Sequence, residues 1–451
     1  MGQIKATGVK ASFASVLSFR VSETVCAALV IFGALCYNHC CTLCVRSLSP
    51  KEMQNIMEYV FSDRISALQP SAIREILKAT ADPAIIPFAA GNPDVAAFPV
   101  DDVRRISAKI FENEPITALQ YGVTEGYEPL RKTVADYMKK KNNIGRDFDK
   151  LIITSGATQV MDLATKSLCN FGDIIVCENP SFIGSPNCFR SYGCKLKGVP
   201  VEEDGMDMNA LEKVLKENKN VRFIYTIPNF QNPSGRTMSL EKRKTLYALA
   251  KKYGVLILED NPYGDLRVSG ENVPTVKSMD EDGIVIYAGS FSKVLAPGIR
   301  VAYVIAPEPI VAKMTVCKQG QDVHTAMFNQ MLVCEWMSTT DFEAHIGKIR
   351  DIYRRKMTLM CDLIDEKLGD LVSYVRPEGG MFVWCELPEK IDMLDFVKRA
   401  IKEKVAVVPG TAFMVEDGDT TNCFRMNYTT PSDENIVLGM ERLEKVKKDV
   451  C

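Results

Sequence analysis

From about residue 53 onward, short apolar runs alternate with stretches whose apolar residues return every three or four positions. Residues 151–154 form a β-type run. Ser155-Gly156 breaks it, and Val160, Leu163, Ala164 and Leu168 then share one helical face. A second apolar run at 174–176 follows the loop at Gly172, and a third spans 221–227. Ser239 is placed to cap a helix in which Leu246, Leu249, Ala250 and Tyr253 recur at helical spacing. Gly254 is placed to end that helix, because glycine enters a left-handed cap without a Cβ penalty. Runs at 255–258, 284–288 and 301–305 are the next strands. Strands separated by helices predict an α/β fold: a mostly parallel sheet with helices on both faces.

The rhythm changes beyond Asp341. A long charged helix over 341–366, carrying Arg350, Arg354, Arg355 and Lys356, leads into β-type runs at 374–375, 381–385 and 405–408. This pattern predicts a smaller α+β domain at the C-terminal end, closing over the larger one. The expected division is a leader over 1–52, an N-terminal arm over 53–97, a large domain over 98–335 and a small domain over 336–451. A chain of 451 residues is too long for one small core, which agrees. No internal repeat, low-complexity tract or Pro-rich linker interrupts it.

The first fifty residues follow another pattern. The apolar run at 24–36 is shorter than the ~20 residues a membrane span needs. Lys5, Lys10 and Arg20 precede it, as in a signal peptide, but no small-residue cleavage site follows. Five of the fifteen cysteines lie between Cys26 and Cys44. Cys36, His39, Cys40, Cys41 and Cys44 are metal-ligand types without the second spaced pair of a structural zinc site, so no metal is expected. The adopted expectation is that translation begins at Met53 or Met57 and that the leader is not part of the fold.

Composition narrows the function classes. The chain is 46% hydrophobic and 25% charged, ordinary for a soluble globular protein. A formal net charge of −2 offers no broad field for nucleic acid or an anionic membrane, and neither is expected as a partner. The remaining cysteines are scattered, which fits thiols in a reducing compartment, and a cytoplasmic protein is expected.

Four segments carry candidate chemistry. Ser290-Phe291-Ser292-Lys293 follows a predicted strand, where α/β sheets place their ligands. A desolvated lysine there would form a Schiff base with an aldehyde, and Ser290 and Ser292 could bind phosphate. Ser155-Gly156-Ala157-Thr158 opens a helix whose free N–H groups suit a phosphate, with Gly156 allowing close approach. Asp260-Asn261-Pro262-Tyr263 offers a carboxylate for a pyridinium N–H and a tyrosine for a ring oxygen. Asn229-Phe230-Gln231-Asn232-Pro233-Ser234-Gly235 offers Asn232 as a donor to the same oxygen. Each segment alone also reads as a surface lysine, a plain strand–turn–helix connection or an ordinary strand-end turn. Taken together, all four fall at carboxyl ends of predicted strands and supply complementary partners for one cofactor.

Those segments stand in the order and spacing of a known family. The chain over about 61–447 resembles the fold-type I, pyridoxal-5′-phosphate (PLP) dependent aminotransferases of class I/II. It is most similar in character to the kynurenine/2-aminoadipate aminotransferases. The resemblance implies PLP held by Lys293, its phosphate bound by Ser290, Ser292, Arg300, Gly156 and the backbone at Ala157 and Thr158. Phe182, in Asn179-Pro180-Ser181-Phe182, matches the aromatic that stacks on the ring. Gln120-Tyr121-Gly122, followed by Gly126 and Leu130-Arg131, resembles a loop whose tyrosine reaches the neighbouring subunit's phosphate. Tyr121 therefore implies a homodimer with shared active sites. Phe424-Arg425-Met426-Asn427-Tyr428 resembles the segment whose arginine forks onto the substrate α-carboxylate. Asn232 and Gly91 are implied as further substrate contacts, and Pro377 to Trp384 matches a motif of the family's small domain. Two positions depart from the common pattern: Ala157 stands where many relatives have Ser, and Phe182 where Tyr is commoner.

The implied activity is transfer of an amino group from an L-amino acid to a 2-oxo acid such as 2-oxoglutarate, in amino-acid metabolism and biosynthesis. Lys293 would move the proton between substrate Cα and cofactor, and Asp260 would keep the ring protonated. Leu68, just before Gln69-Pro70-Ser71, stands near where some relatives place an arginine for a distal carboxylate. This tilts the expectation toward neutral or aromatic donors over 2-aminoadipate-like ones. A PLP lyase or racemase would use the same lysine and ring contacts and stays open. A transcription regulator with this domain would need a basic helix-turn-helix head, and residues 1–52 show none.

Overall fold

The computed structural model describes residues 59–66, 68, 82–416 and 418–450. The leader over 1–52, Met53, Met57, the Cys36–Cys44 cluster and Gln69-Pro70-Ser71 lie outside them. After a helical turn at Asp63–Ser66 the chain forms helices α1 (Val100–Asn113), α2 (Pro115–Leu119) and α3 (Glu128–Asn142). Strand β1 (Asp149–Thr154) leads to α4 (Ala157–Leu168), β2 (Ile174–Asn179), α5 (Gly184–Ser191), β3 (Lys195–Glu202) and β4 (Gly205–Met206). Then come α6 (Met208–Glu217), β5 (Val221–Thr226), α7 (Leu240–Tyr253), β6 (Leu256–Asp260), β7 (Val285–Ser290) and β8 (Ala302–Pro307). Helices α8 (Glu308–Gln319), α9 (Met327–Thr339) and α10 (Phe342–Leu368) precede β9 (Ser373–Tyr374) and β10 (Phe382–Glu386). The chain ends with α11 (Met393–Lys402), β11 (Val408–Pro409), β12 (Cys423–Asn427) and α12 (Asp433–Val450).

Eight strands form one sheet in the order β1-β8-β7-β6-β5-β2-β3-β4. The pairs β2/β3, β2/β5, β5/β6 and β6/β7 are parallel, as the strand–helix alternation predicts. Strand β8 departs from it and runs antiparallel to both β7 and β1. The reason is the connection: residues 291–301 hold only a single 3₁₀ turn, too little for a helical crossover back to the same edge. Reversal has a consequence for the site, since β8 begins at the edge where the parallel strands end.

Both faces of the sheet are covered. Ile174 and Val176 of β2 pack with Leu211 and Leu215 of α6 and Leu246 and Ala250 of α7. The alternate residues Ile175 and Cys177 pack with Val160, Leu163 and Ala164 of α4 in the other core. Period-two side chains on a strand thus feed two separate cores, and each fully buried Leu, Ile or Val contributes about 1.5–3 kcal/mol. The caps read from the sequence form as expected. Ser239 Oγ accepts from Lys242 N at 3.3 Å, and Gly254 closes α7 with φ 67°. A further cap, not read from the sequence, starts α10, where Asp341 Oδ1 accepts from Ala344 N at 2.9 Å.

A second sheet, β11-β12-β10-β9, is antiparallel. The run at 405–408 contributes less strand than its apolarity suggests. Only Val408–Pro409 pairs with β12, because Val405 bridges instead to Ile86. That bridge draws the segment after Ile86 across the second sheet, and Asn427 N donates to Phe88 O at 2.8 Å. The next residues, Ala89 and Gly91, are thereby carried toward the ends of the large sheet's strands.

Candidate functional site

Strands β1, β2, β5, β6 and β7 point one way, so their carboxyl ends share an edge. Gly156 follows β1, Phe182 follows β2, Asn232 follows β5, Asp260 ends β6 and Ser290 ends β7. Arg300 joins them because the reversed β8 starts there. A cavity of about 320 Å³ opens at this edge. Gly91, Ala157, Thr158, Phe182, Asn232, Asp260, Tyr263, Ser290, Ser292, Lys293, Arg300 and Arg425 all line it. A larger cavity of about 440 Å³ shares Pro262 and Ser290 with it but includes none of Lys293, Asp260 and Arg425.

One end of the site suits a phosphate. Gly156 has φ 93° and ψ 160°, a conformation essentially confined to glycine. A Cβ there would lie 1.9 Å from Arg300 Nη2, so the glycine leaves the space the guanidinium fills. Arg300 Nη2 donates to Ser155 O at 3.2 Å. Ala157 and Thr158 open α4, whose first turn has donors without intrahelical partners. Ser290 Oγ accepts from Ser292 N at 3.1 Å.

At the other end lies a buried carboxylate. Asp260 Oδ2 accepts from the Tyr225 hydroxyl at 2.9 Å, and that hydroxyl accepts from Ser185 Oγ at 2.9 Å. Asp260 Oδ1 is buried with no hydrogen-bond partner, an acceptor waiting for a donor. Burial pushes the carboxyl up to about 7, against the single opposing Tyr225 bond. A ring N–H would complete the pair. The orphaned oxygen and the glycine cradle together show that these residues fit PLP.

Lys293 sits between the two ends. Its Nζ donates to Gly91 O at 2.8 Å. Burial lowers the amine to about 8, and the positive charges of Arg425 and Arg300 add to the effect. Near neutral pH it is therefore far easier to deprotonate than a surface lysine, which suits a nucleophile or a base.

Arg425 lies in the middle of β12, paired with Trp384 of β10 and Val408 of β11. Its Nη1 donates to Asn232 Oδ1 at 2.8 Å and its Nη2 to Ala89 O at 2.9 Å. The guanidinium stacks 4.1 Å from the Phe382 ring centroid and 4.9 Å from that of Phe413. Burial lowers it to about 10, so it remains charged at neutral pH. Its Nε is buried and unpartnered. Tyr263 is also buried, which raises its phenol above the usual range, while the charge of Arg425 works against that shift.

Two predicted residues stand apart from the lining. Gly156 acts one position behind it. Tyr121 is 80% exposed, packs edge-on to His324 with centroids 5.8 Å apart, and does not line this cavity. Leu68 does not line the cavity either. Sequence reasoning missed Tyr225, Ser185 and Ala89. A tyrosine inside the apolar strand β5 was a usable signal, since a buried hydroxyl needs a partner. Ala89 acts through its carbonyl, which leaves no trace in side-chain chemistry.

A glycine-walled helix start, an unpartnered buried carboxylate oxygen and an amine of lowered proton affinity around one cavity fit the class of pyridoxal-phosphate enzymes. Comparison with known proteins agrees. A family model described as aminotransferase class I and II matches residues 83–443. Aromatic-amino-acid aminotransferase 1 of Thermococcus litoralis is 38% identical over 396 residues, covering 87% of this chain and 95% of the relative. The 2-aminoadipate transaminase of Thermus thermophilus is 38% identical over 391 residues, covering 86% and 96%. Among solved structures, Pyrococcus horikoshii kynurenine aminotransferase, in complex with PMP, KYN as substrates and KYA as products, superposes with a TM-score of 0.85. It is 37% identical, with 88% of this chain and 99% of that one covered. The chain belongs to the class I and II aminotransferases, enzymes that use pyridoxal phosphate to move an amino group from an amino acid to a 2-oxo acid.

Proposed function

We propose that this aminotransferase takes an L-amino acid with a neutral or aromatic side chain as donor, and a 2-oxo acid such as 2-oxoglutarate as acceptor. The observation that carries the reading is the cavity's charge inventory. Among the described residues lining it, the cations are Lys293, Arg300 and Arg425, and each already has a task. Met161, Phe182, Ile183, Ile227 and Phe382 add apolar surface. A distal carboxylate, as on 2-aminoadipate, would be desolvated there without a cation among them.

Bound PLP supplies an aldehyde for the amino group and a protonated ring that accepts electron density. Arg425 binds and orients the substrate carboxylate through its fork and its free Nε. Lys293 would take the proton from the substrate Cα and hand it on to the cofactor carbon that carries the aldehyde. Asp260 would hold the proton on the ring nitrogen, with Tyr225 fixing the carboxylate's orientation. Asn232 and Tyr263 would address the ring oxygen, and Phe182 would cover the ring face. Comparing kcat/KM for phenylalanine, leucine and 2-aminoadipate with 2-oxoglutarate tests the donor class, and a preference for 2-aminoadipate overturns it.

The same reading includes a homodimer. Ile116 and Leu119 are each 73% exposed close to Tyr121 in the chain, apolar side chains that a second subunit would cover. Mixed dimers of a Lys293→Ala chain and a Tyr121→Ala chain distinguish shared from separate sites: shared sites leave one site with both defects and one with neither. We place the enzyme in the cytoplasm, in amino-acid biosynthesis. All nine described cysteines are free thiols, and no helix among the described residues is long and apolar enough to cross a membrane. Recovery of a processed form outside the cell would overturn the location.

A further inference from the structure

Behind the phosphate end of the cavity lies a charged pair that the reaction itself does not use. Lys318, on the last turn of α8, has a side chain with 0% exposure. Its Nζ reaches Asp322 Oδ1 and Oδ2 at 2.9 Å each, Gln159 Oε1 at 2.9 Å and Thr325 Oγ1 at 3.1 Å. Asp322 in turn accepts from Ser155 Oγ at 2.7 Å and from Gln159 Nε2 at 2.9 Å. Gln159 Oε1 also accepts from Ser155 N at 2.8 Å.

Every polar group of Ser155 is therefore committed. Its N–H goes to Gln159, its hydroxyl to Asp322, and its carbonyl to Arg300. Ser155 is the residue that hands the chain to Gly156, and Gly156 leaves the room in which Arg300 sits. Burying a lysine against a half-buried carboxylate is costly, and an apolar pair of similar volume would often be as stable or more so. An ion pair kept at that position instead gives directional, charge-assisted bonds to one loop.

We propose that Asp322, anchored by Lys318, is a positioning residue for the cofactor phosphate: it fixes the Ser155–Gly156 loop and, through Ser155 O, the guanidinium of Arg300. It touches neither substrate nor cofactor. The inference rests on the reading of the Gly156–Arg300 end as the phosphate end. It predicts that Asp322 contributes to the affinity for a phosphorylated cofactor and not to the affinity for its unphosphorylated analogue.

The test is to strip the full-length enzyme of cofactor and titrate it with PLP and, separately, with pyridoxal, following absorbance. Wild type is compared with Asp322→Asn, Ser155→Ala and Arg300→Gln. Loss of one charge-assisted bond corresponds to a weakening on the order of tenfold. Asp322→Asn is expected to lose about that much affinity for PLP while pyridoxal affinity stays within about twofold, and Ser155→Ala is expected to show a smaller loss with the same selectivity. Equal losses for PLP and pyridoxal, or no loss, overturn the proposal and reduce the pair to a structural tie. Should Asp322→Asn fail to fold, Ser155→Ala decides alone, because it leaves the Lys318–Asp322 pair intact. Arg300→Gln separates the two levels. If it shows no phosphate selectivity, the reading of that end is wrong. If it does and the other two do not, this inference alone fails.

Discussion

Asn232 Oδ1 accepts a hydrogen bond from Arg425 Nη1 at 2.8 Å, across 193 positions of chain. The bond joins the loop after β5 in the large sheet to the central strand of the small one. It aims a cation that two aromatic rings already hold in plane. Arg425→Lys keeps the charge but loses the fork, the stacking and the bond to Asn232. We expect kcat/KM to fall roughly 10- to 100-fold, with KM for the amino acid rising, because one or two charge-assisted bonds of ~1.5–3 kcal/mol are lost. Steady-state kinetics on cofactor-loaded enzyme checks this, and an unchanged KM would remove Arg425 from carboxylate binding.

Asp260→Asn keeps the shape of the buried side chain and removes its charge. The ring nitrogen then loses the partner that holds its proton. Expected is a drop in kcat of at least about tenfold, the scale of one hydrogen bond to a charged group. KM should move much less. Tyr225→Phe should give a smaller effect in the same direction, since it removes the bond to Oδ2, together with the bond from Ser185 Oγ, but leaves the carboxylate charge in place. Rapid-mixing measurement of the first half-reaction reads both.

The lowered pKa of Lys293 gives a pH signature with a definite sign. The folded value is about 8 against an ordinary 10.5, so the charged form is disfavoured by burial. Capture of PLP by the cofactor-free enzyme needs the neutral amine. Its rate should rise with pH and level off above about 8. Between 8 and 10.5 the unfolded chain binds the proton and the folded one does not, so stability rises with pH across that window. Lys293→Met should therefore raise the Tm of the cofactor-free enzyme more at pH 7 than at pH 10. A Tm difference independent of pH would refute the shift.

Gly156→Ala meets two obstacles at once. Its backbone lies in a region where a non-glycine residue costs about 1–3 kcal/mol. The added methyl would also collide with Arg300 Nη2. We expect a lower Tm together with weaker PLP binding, whereas Gly254→Ala, whose Cβ meets nothing within 4 Å, should lower the Tm alone. Thermal unfolding with and without PLP separates the two.

Much of the site was legible because its loops follow buried strands, and buried strands announce themselves as apolar runs. Lys293, Asp260, Asn232 and Gly156 each stand within five residues of the end of such a run. The capped ends of α7 were legible for a similar reason, since caps are local hydrogen-bond chemistry between near neighbours. Strand direction was not, because an apolar run reads alike in either orientation; the short 291–301 connection held the only hint that β8 would reverse.

The chain's local pattern thus determined which residues form strands and helices, and which reactive side chains stand at their ends. Tertiary structure decided the rest. It buried Lys293 and Asp260 and so moved their proton affinities, because desolvation belongs to the surroundings and not to the residue. It brought Arg425 against Asn232, and Lys318 against Asp322 and Ser155, through packing of segments far apart in the chain. It also left Tyr121 out of this cavity's lining, since nothing in Gln120-Tyr121-Gly122 itself fixes which way the loop faces.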